Sequence, residues 1–411
     1  MSMLAFDPGP LLSHTLVLLV VGVGVLTAGH RAGVLRPTAV SFALHVLVAG
    51  GLYLTSGLFA PDAMHYDRLG VAFQNYWFGT SHHPPLVTTG KQGIPWMLAV
   101  LYQLLGHHPF LGILVNVGLA TLLVPIVAST SRLMGVNARV SAWLSGCLPP
   151  LLLWGSVLLR EAAAWCLLAL IVRGLVGLAA EEGRMVLNWS AILLPLGPLV
   201  TVRGTAAVLV GSAVLVAFAL TSRNRVVPTL IGVLGLIFAG PVLVSMGQGV
   251  AGGYDVDTIN QQRAALSRSA DSSFEVTRYE GIGSMLLSAP MALLRGLAAP
   301  FPWELPALGP FLILDTLVWW VLAIGVVIGA RHLNRSRLLW AVLIPVVVLL
   351  VVLAITSGNY GTMTRLRYQS AVMMLPVAAH GFCVLATWWR LRRDRPFSQV
   401  ARAARSVSTS R

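Results

Sequence analysis

The residues best suited to chemistry fall in a few short runs. The first is Asp62-Ala63-Met64-His65-Tyr66-Asp67, directly after an apolar stretch that ends near Phe59. If this run is helical, Asp62 shares a face with Tyr66 at i, i+4 and with His65 at i, i+3. A carboxylate at a membrane–water boundary could take a proton from a hydroxyl held there. The simpler reading is a solvated helix cap, since Asp beside Pro caps well. The second run is Ser81-His82-His83-Pro84-Pro85-Leu86, followed by Gly90-Lys91-Gln92-Gly93. Lys91 is the only lysine among 28 basic residues. A lone ammonium can pair with a phosphate as a point charge, or simply snorkel as an interfacial anchor. The third group is Arg160-Glu161, Arg203, Arg365 and Arg367, all at the ends of apolar runs. Charge within a membrane segment is expensive, so it faces a cavity or a partner. Arginines that converge on one cavity suit an anionic phosphate, which guanidinium grips bidentately. Arg203, Arg365 and Arg367 have no acidic residue within four positions, which predicts unpaired guanidinia. Their simpler reading is again that of interfacial anchors.

A metal is not indicated. His82, His83, His107 and His108 come as adjacent pairs, which do not readily face one ion, and no neighbouring carboxylate completes a ligand set. The three cysteines, Cys147, Cys166 and Cys383, sit in apolar runs as buried small hydrophobes. No cofactor is predicted, and a divalent cation stays open.

The elements that must hold these residues are membrane helices. Of 411 residues, 56% are hydrophobic and only 10% charged, against about 25% charged in soluble domains. That excludes a soluble enzyme, a disordered chain and a disulfide scaffold, and describes an all-α polytopic membrane protein. The 28 Lys and Arg against 14 Asp and Glu give a formal net charge of +14. The basic residues fall in pairs between apolar runs, as in cytoplasmic loops, and form no nucleic-acid patch. At about 20 residues per span, about eleven transmembrane helices are predicted. They lie near 11–29, 38–59, 109–131, 140–158, 161–180, 187–202, 204–221, 226–246, 308–330, 338–356 and 368–389. The N-terminal run, with Asp7 and no nearby Lys or Arg, is expected to stay as a helix rather than be cleaved.

With the N-terminus outside, Arg31, Arg36, Arg132, Arg139, Arg184, Arg223, Arg225, Arg331, Arg335 and Arg337 all fall inside. If the short apolar stretch 93–106 also crossed, most arginine-rich turns would lie outside. It is therefore expected as a re-entrant or juxtamembrane helix, covered by protein or a wet cavity. Residues 1–389 form one membrane domain with long outer loops at 60–108 and 247–307. The second loop is expected as a lid or acceptor wall, with Trp303 at the interface. A basic cytoplasmic tail, 390–411, is expected to be disordered or to lie on anionic lipid.

Taken together, Asp62-x-x-x-Tyr66, His83-Pro84-Pro85-Leu86, Gly90-Lys91 and Leu101-Tyr102-x-Leu104-Leu105-Gly106 resemble the GT-C type membrane glycosyltransferases. The nearest likenesses are the protein O-mannosyltransferases and the polyprenyl-phosphate-sugar transferases. The resemblance covers roughly residues 50–205, with the helices after Asn116 also similar. The chain departs in having Ala63 where the mannosyltransferases carry Glu, a longer spacing from His83 to Lys91, an extra first helix and no large soluble outer domain.

The resemblance implies a GT-C-like fold in a bacterial cytoplasmic membrane, and the arginine distribution puts the N-terminus outside and the C-terminus inside. It implies a hexosyl- or pentosyltransferase acting on cell-envelope glycan or glycoprotein. The donor would be a polyprenyl-phosphate sugar and the acceptor a glycan, lipid or protein. Asp62 would be the catalytic base, with Asp67 as its rival and Glu161 as a second acid. Tyr66, His83, Lys91, Arg160, Arg203, Arg365 and Arg367 would bind substrate. The rival readings are a lipid-linked oligosaccharide polymerase, a transporter or flippase for such lipids, and a non-catalytic lipid-binding protein. A transporter predicts two repeated halves with broken helices, which the sequence does not have.

The orientation has a direct check. A thiol at Ser222→Cys should stay unlabelled by an impermeant reagent in intact cells, and Ser272→Cys should be labelled. Labelling of the first from outside would invert the topology.

Overall fold

The computed structural model describes residues 8–58, 60–79, 81–87, 90–181, 185–221, 256–268, 274, 278–305, 309–333 and 336–408. The predicted span 226–246, together with Arg184, Arg223, Arg225, Asp255, Asp271, Glu275 and Arg335, lies outside them. Among the described residues all regular structure is α-helical. Eight helices are long and apolar enough to cross a membrane. The chain is a polytopic helical membrane protein.

Helices α1 (Pro8–Arg31) and α2 (Leu35–Ser56) open the chain. The amphipathic α3 (Pro61–Phe78) and the short α4 (Gly93–Leu105) follow. Then come α5 (Pro109–Leu133), the two-part α6 (Ala138–Cys147) and α7 (Pro149–Gly155), and α8 (Glu161–Ala179). Last are α9 (Met185–Thr221), α10 (Val256–Arg268), α11 (Ile282–Ala298), α12 (Pro310–His332), α13 (Arg337–Thr356) and α14 (Tyr360–Ser408). Of the two expectations for the tail, the disordered one is corrected, since α14 continues as helix to Ser408.

Helix α8 is the centre. Trp165, Leu168, Ile171 and Leu175 are fully buried, as an all-round apolar helix must be. Its neighbours are α5, α9, α13 and α14, and the rings of Trp165 and Tyr368 lie 6.4 Å apart. Helices α12 and α14 cross with backbones touching: a Cβ on Gly329 would fall on the Val377 carbonyl. Small residues allow such approach between membrane helices.

Arg203 shapes α9. It breaks the helix with φ −154° and ψ 76°. Beyond the break the chain turns back, so that the Trp189 and Phe218 rings meet at 5.0 Å. A straight helix would separate them by about 44 Å at 1.5 Å per residue. Thus α9 is a hairpin of two legs with Arg203 at its tip.

Helix α4 has 13 residues, about 20 Å at the same rise, too short to span the ~30 Å hydrocarbon core. It buries Ile94, Leu98 and Tyr102 and pairs with α3. The Phe73, Trp77 and Trp96 rings cluster, and Gln74 donates to Gln103 at 3.2 Å. Gly93 at the start of α4 packs on Thr201 and Val202 beside Arg203, so this pair lies at the end where the chemistry-bearing residues gather. At the opposite end the Arg132 guanidinium donates to the Ala32 carbonyl, and Arg337 pairs with Glu181 at 2.9 Å. Loops that charge assigns to one side therefore meet at one end.

Buried Asn116 of α5 braces the link between α7 and α8. Its amide donates to the Val157 and Leu159 carbonyls, both at 2.8 Å. Asn116→Ala should leave both carbonyls unpaired and destabilise by about 1–3 kcal/mol. Thermal unfolding in detergent checks this, and an unchanged midpoint would show that the brace is dispensable.

Candidate functional site

Pro61 starts α3 and puts Asp62 in its first turn, so the i, i+4 relation to Tyr66 holds. The brace from Asn116 leaves Arg160 and Glu161 at the start of α8. The α9 tip supplies Arg203, and the second turn of α14 supplies Arg365. Asn359 fixes that helix start, accepting from Thr362 N at 2.7 Å and donating to the Leu266 carbonyl of α10 at 2.8 Å.

These segments converge on one oxygen. Glu161 Oε1 lies 2.8 Å from Arg203 Nη2 and 3.1 Å from Arg365 Nε. Arg203 donates a hydrogen bond. Arg365 Nε is close enough for charge attraction without being aligned as a bond. Arg365 Nη1 also reaches Asp62 Oδ2 at 3.3 Å. With its amide oxygen turned toward Arg203, Gln369 accepts from Nη1 at 2.9 Å and Nε at 3.2 Å, the orientation that satisfies both groups. The Arg160 guanidinium sits 5.9 Å from the Tyr66 ring and donates to the Val202 carbonyl at 3.3 Å.

Lys91 is held nearby because Gly90, at φ +82°, packs on the α9 tip. A Cβ there would come within 2.8 Å of Gly204 N. Lys91 is within electrostatic reach of Asp62, Arg160 and Arg203. Its side chain still meets solvent. Partial burial, then the charge of Arg160, hold its ammonium below the ordinary 10.5, while Asp62 pulls the other way. Burial raises the Tyr66 phenol, with Arg160 opposing.

Four cations and two carboxylates leave the cluster with two positive charges in excess. Arg203 and Arg365 face inward to Glu161, whereas Lys91 and Arg160 make no ion pair among the described residues. The inner shell is thus a neutralising lattice and the rim is where an anion would meet open positive charge.

Several expectations are corrected here. Arg203 and Arg365 are not unpaired: both share Glu161, 42 and 204 positions away from it. Glu161 is 2% exposed and acts as their counter-ion rather than as an acid open to substrate. Arg367 does not join the cluster. Two residues on, a helix has turned about 200°, and Arg367 is buried elsewhere, donating to the Ala299 carbonyl beneath Trp319. Asp67 also faces away, about 140° round the helix from Asp62. It accepts from Tyr102 Oη at 2.6 Å and lies 3.0 Å from His107 Nε2. His83 is exposed, with backbone contacts to Ser81 only. Gln369 was missed, although it lies four residues after Arg365 on the same face.

Trp303 is 75% exposed and stacks on Phe301 at 4.9 Å. Among the described residues no group of His, Cys, Asp or Glu could hold a metal ion. Comparison of the chain with family models, curated proteins and solved structures finds no match.

Removing one member of a buried charge pair costs about 3–5 kcal/mol. Glu161→Gln, which strands two guanidinia, should therefore lower the unfolding midpoint sharply. Asp62→Asn should change it little, because Asp62 is 50% exposed and only one of two carboxylates on Arg365. Equal effects would mean that Glu161 does not organise the cluster.

Proposed function

We propose that the chain is a glycosyltransferase that takes sugar from a polyprenyl-phosphate donor at the outer face of a bacterial cytoplasmic membrane. The observation that supports it best is the rim: an accessible Asp62 carboxylate held by Arg365, beside Lys91 and Arg160, which make no ion pair among the described residues. Those cations would hold the donor phosphate. Asp62 would take the proton of the acceptor hydroxyl as its oxygen attacks the anomeric carbon, with inversion. The bond from that carbon to the phosphate oxygen breaks, and the electron pair leaves on the phosphate. Lys91 and Arg160 stabilise the charge that develops there.

The same end of the bundle carries α10, tied to the start of α14 through Asn359, which suits an acceptor wall. Eleven crossings follow if both legs of α9, the joined α6 and α7, and residues 226–246 each span. The outer face is assigned to the cluster end because the arginine-rich turns gather at the other.

Radiolabelled sugar transfer in proteoliposomes tests the reading. Asp62→Asn should lose at least 100-fold, the usual worth of a general base, at normal expression, and Asp67→Asn should lose less. The reverse order would move the base to Asp67, and full activity in both would leave a lipid-binding or flipping protein.

Donor affinity should also depend on pH. Bound phosphate favours the charged form of Lys91, so binding takes up a proton once Lys91 has begun to lose it. Affinity should fall as pH rises toward 10.5, and Lys91→Met should flatten that fall. A wild-type profile identical to that of Lys91→Met would remove Lys91 from the site.

A further inference from the structure

Between α7, α12 and the start of α14 lies a second, separate feature, an apolar cavity of about 240 Å³. Leu153, Trp154, Phe311 and Leu312 line it, with Thr364 at one edge and Asp315 in its wall. Asp315 is 7% exposed, and its Oδ2 is buried without a hydrogen-bond partner among the described residues. A buried carboxylate oxygen left unbonded is costly, so the cavity is built for something that supplies a hydrogen.

The local charges narrow the chemistry. The Arg367 guanidinium offsets Asp315 from beyond ion-pair distance while it bonds the Ala299 carbonyl, and the Tyr368 hydroxyl bonds to Asp315 without satisfying Oδ2. What Oδ2 lacks is therefore a donor hydrogen rather than a cation. A phosphate brings a negative charge, which a neighbouring carboxylate disfavours. The rest of the wall is apolar and suits a hydrocarbon chain.

Position narrows it further. Asp315 lies five residues into α12, about 7.5 Å below its first residue. Thr364 directly precedes Arg365 on α14, so the cavity reaches the end of that helix that also carries the charged cluster.

We propose that this cavity holds a neutral, hydroxyl-bearing amphiphile, with the hydroxyl donating to Asp315 and the chain lying between α7 and α12. If the transferase reading holds, and only then, this ligand is an acceptor with more than one hydroxyl, a neutral glycolipid, one hydroxyl held by Asp315 and another presented to Asp62. The donor phosphate stays on Lys91 and Arg160.

The test is photo-cross-linking of the full-length protein in liposomes, with no sugar donor present. The probe is a long-chain alcohol carrying a diazirine on its chain. It should label peptides containing residues 149–155 and 310–315. Unlabelled alcohol should compete at least about tenfold better than an alkane or alkyl phosphate of equal length, as a hydrogen bond to a buried charged acceptor implies. Leu153→Trp, which fills the cavity and leaves every charge in place, should cut the labelling. Asp315→Leu should erase the preference for alcohol over alkane.

Equal competition by alcohol and alkane in the wild type would overturn the proposal, and would mean that a trapped water satisfies Asp315. So would stronger competition by the alkyl phosphate. Because no donor takes part, loss of sugar transfer elsewhere leaves this result standing. Labelling as expected in a protein that transfers no sugar supports the binding site and removes the acceptor role alone.

Discussion

One carboxylate oxygen ties the charged end of this bundle together. Glu161 Oε1 draws in Arg203 from the tip of the α9 hairpin and Arg365 from the start of α14. Each of those charges would be prohibitive alone in an apolar surrounding. Paired, they fix where α8, α9 and α14 must end relative to one another. Asp62 is then recruited through the second face of the Arg365 guanidinium, and Gln369 takes the remaining Arg203 hydrogens. The geometry of the rim follows from this lattice, since Asp62 and Arg160 are oriented by neighbours that Glu161 has already positioned.

The lattice explains why the same residue types divide into two roles. A guanidinium with a buried carboxylate is a structural tie, and its charge is largely spent before any ligand arrives. Arg160 bonds only a backbone carbonyl and an aromatic face, and Lys91 reaches solvent. These two keep positive charge available. Lys91 owes its place to the close backbone contact of Gly90 with Gly204, so a loop outside the membrane is keyed to the hairpin tip.

A second polar centre, around Arg367, lies deeper on the other side of α14. There the ties are backbone carbonyls and indoles: Arg367 reaches the Ala299 carbonyl, and Trp319 and Trp320 donate to Leu297 and Ala298. Together they hold the end of α11 against α12. Arg295, paired with Glu304 at 3.5 Å and bonded to Tyr360, closes the corner. Residues 365 and 367 thus anchor two unrelated centres from one helix, and the apolar cavity with Asp315 lies beside the second.

Local rules acting on short windows of the chain decide much of this architecture. Apolar runs of spanning length, arginine-rich turns and a stretch too short to cross are properties of composition over a window, and membrane solvation acts on windows. The face shared by Asp62 and Tyr66 is legible because helical period is local, and the same period tells against grouping Arg367 with Arg365. Partnership was not legible. Glu161 meets Arg203 only after α8 and the first leg of α9 return the chain to the same end, and Arg365 only after several more helices, and ion-pair distance is set by how helices pack, not by spacing along the chain. Neither the α9 turn-back nor the unbonded oxygen of Asp315 leaves a mark in composition. Both depend on what neighbouring helices supply, which only the tertiary structure decides.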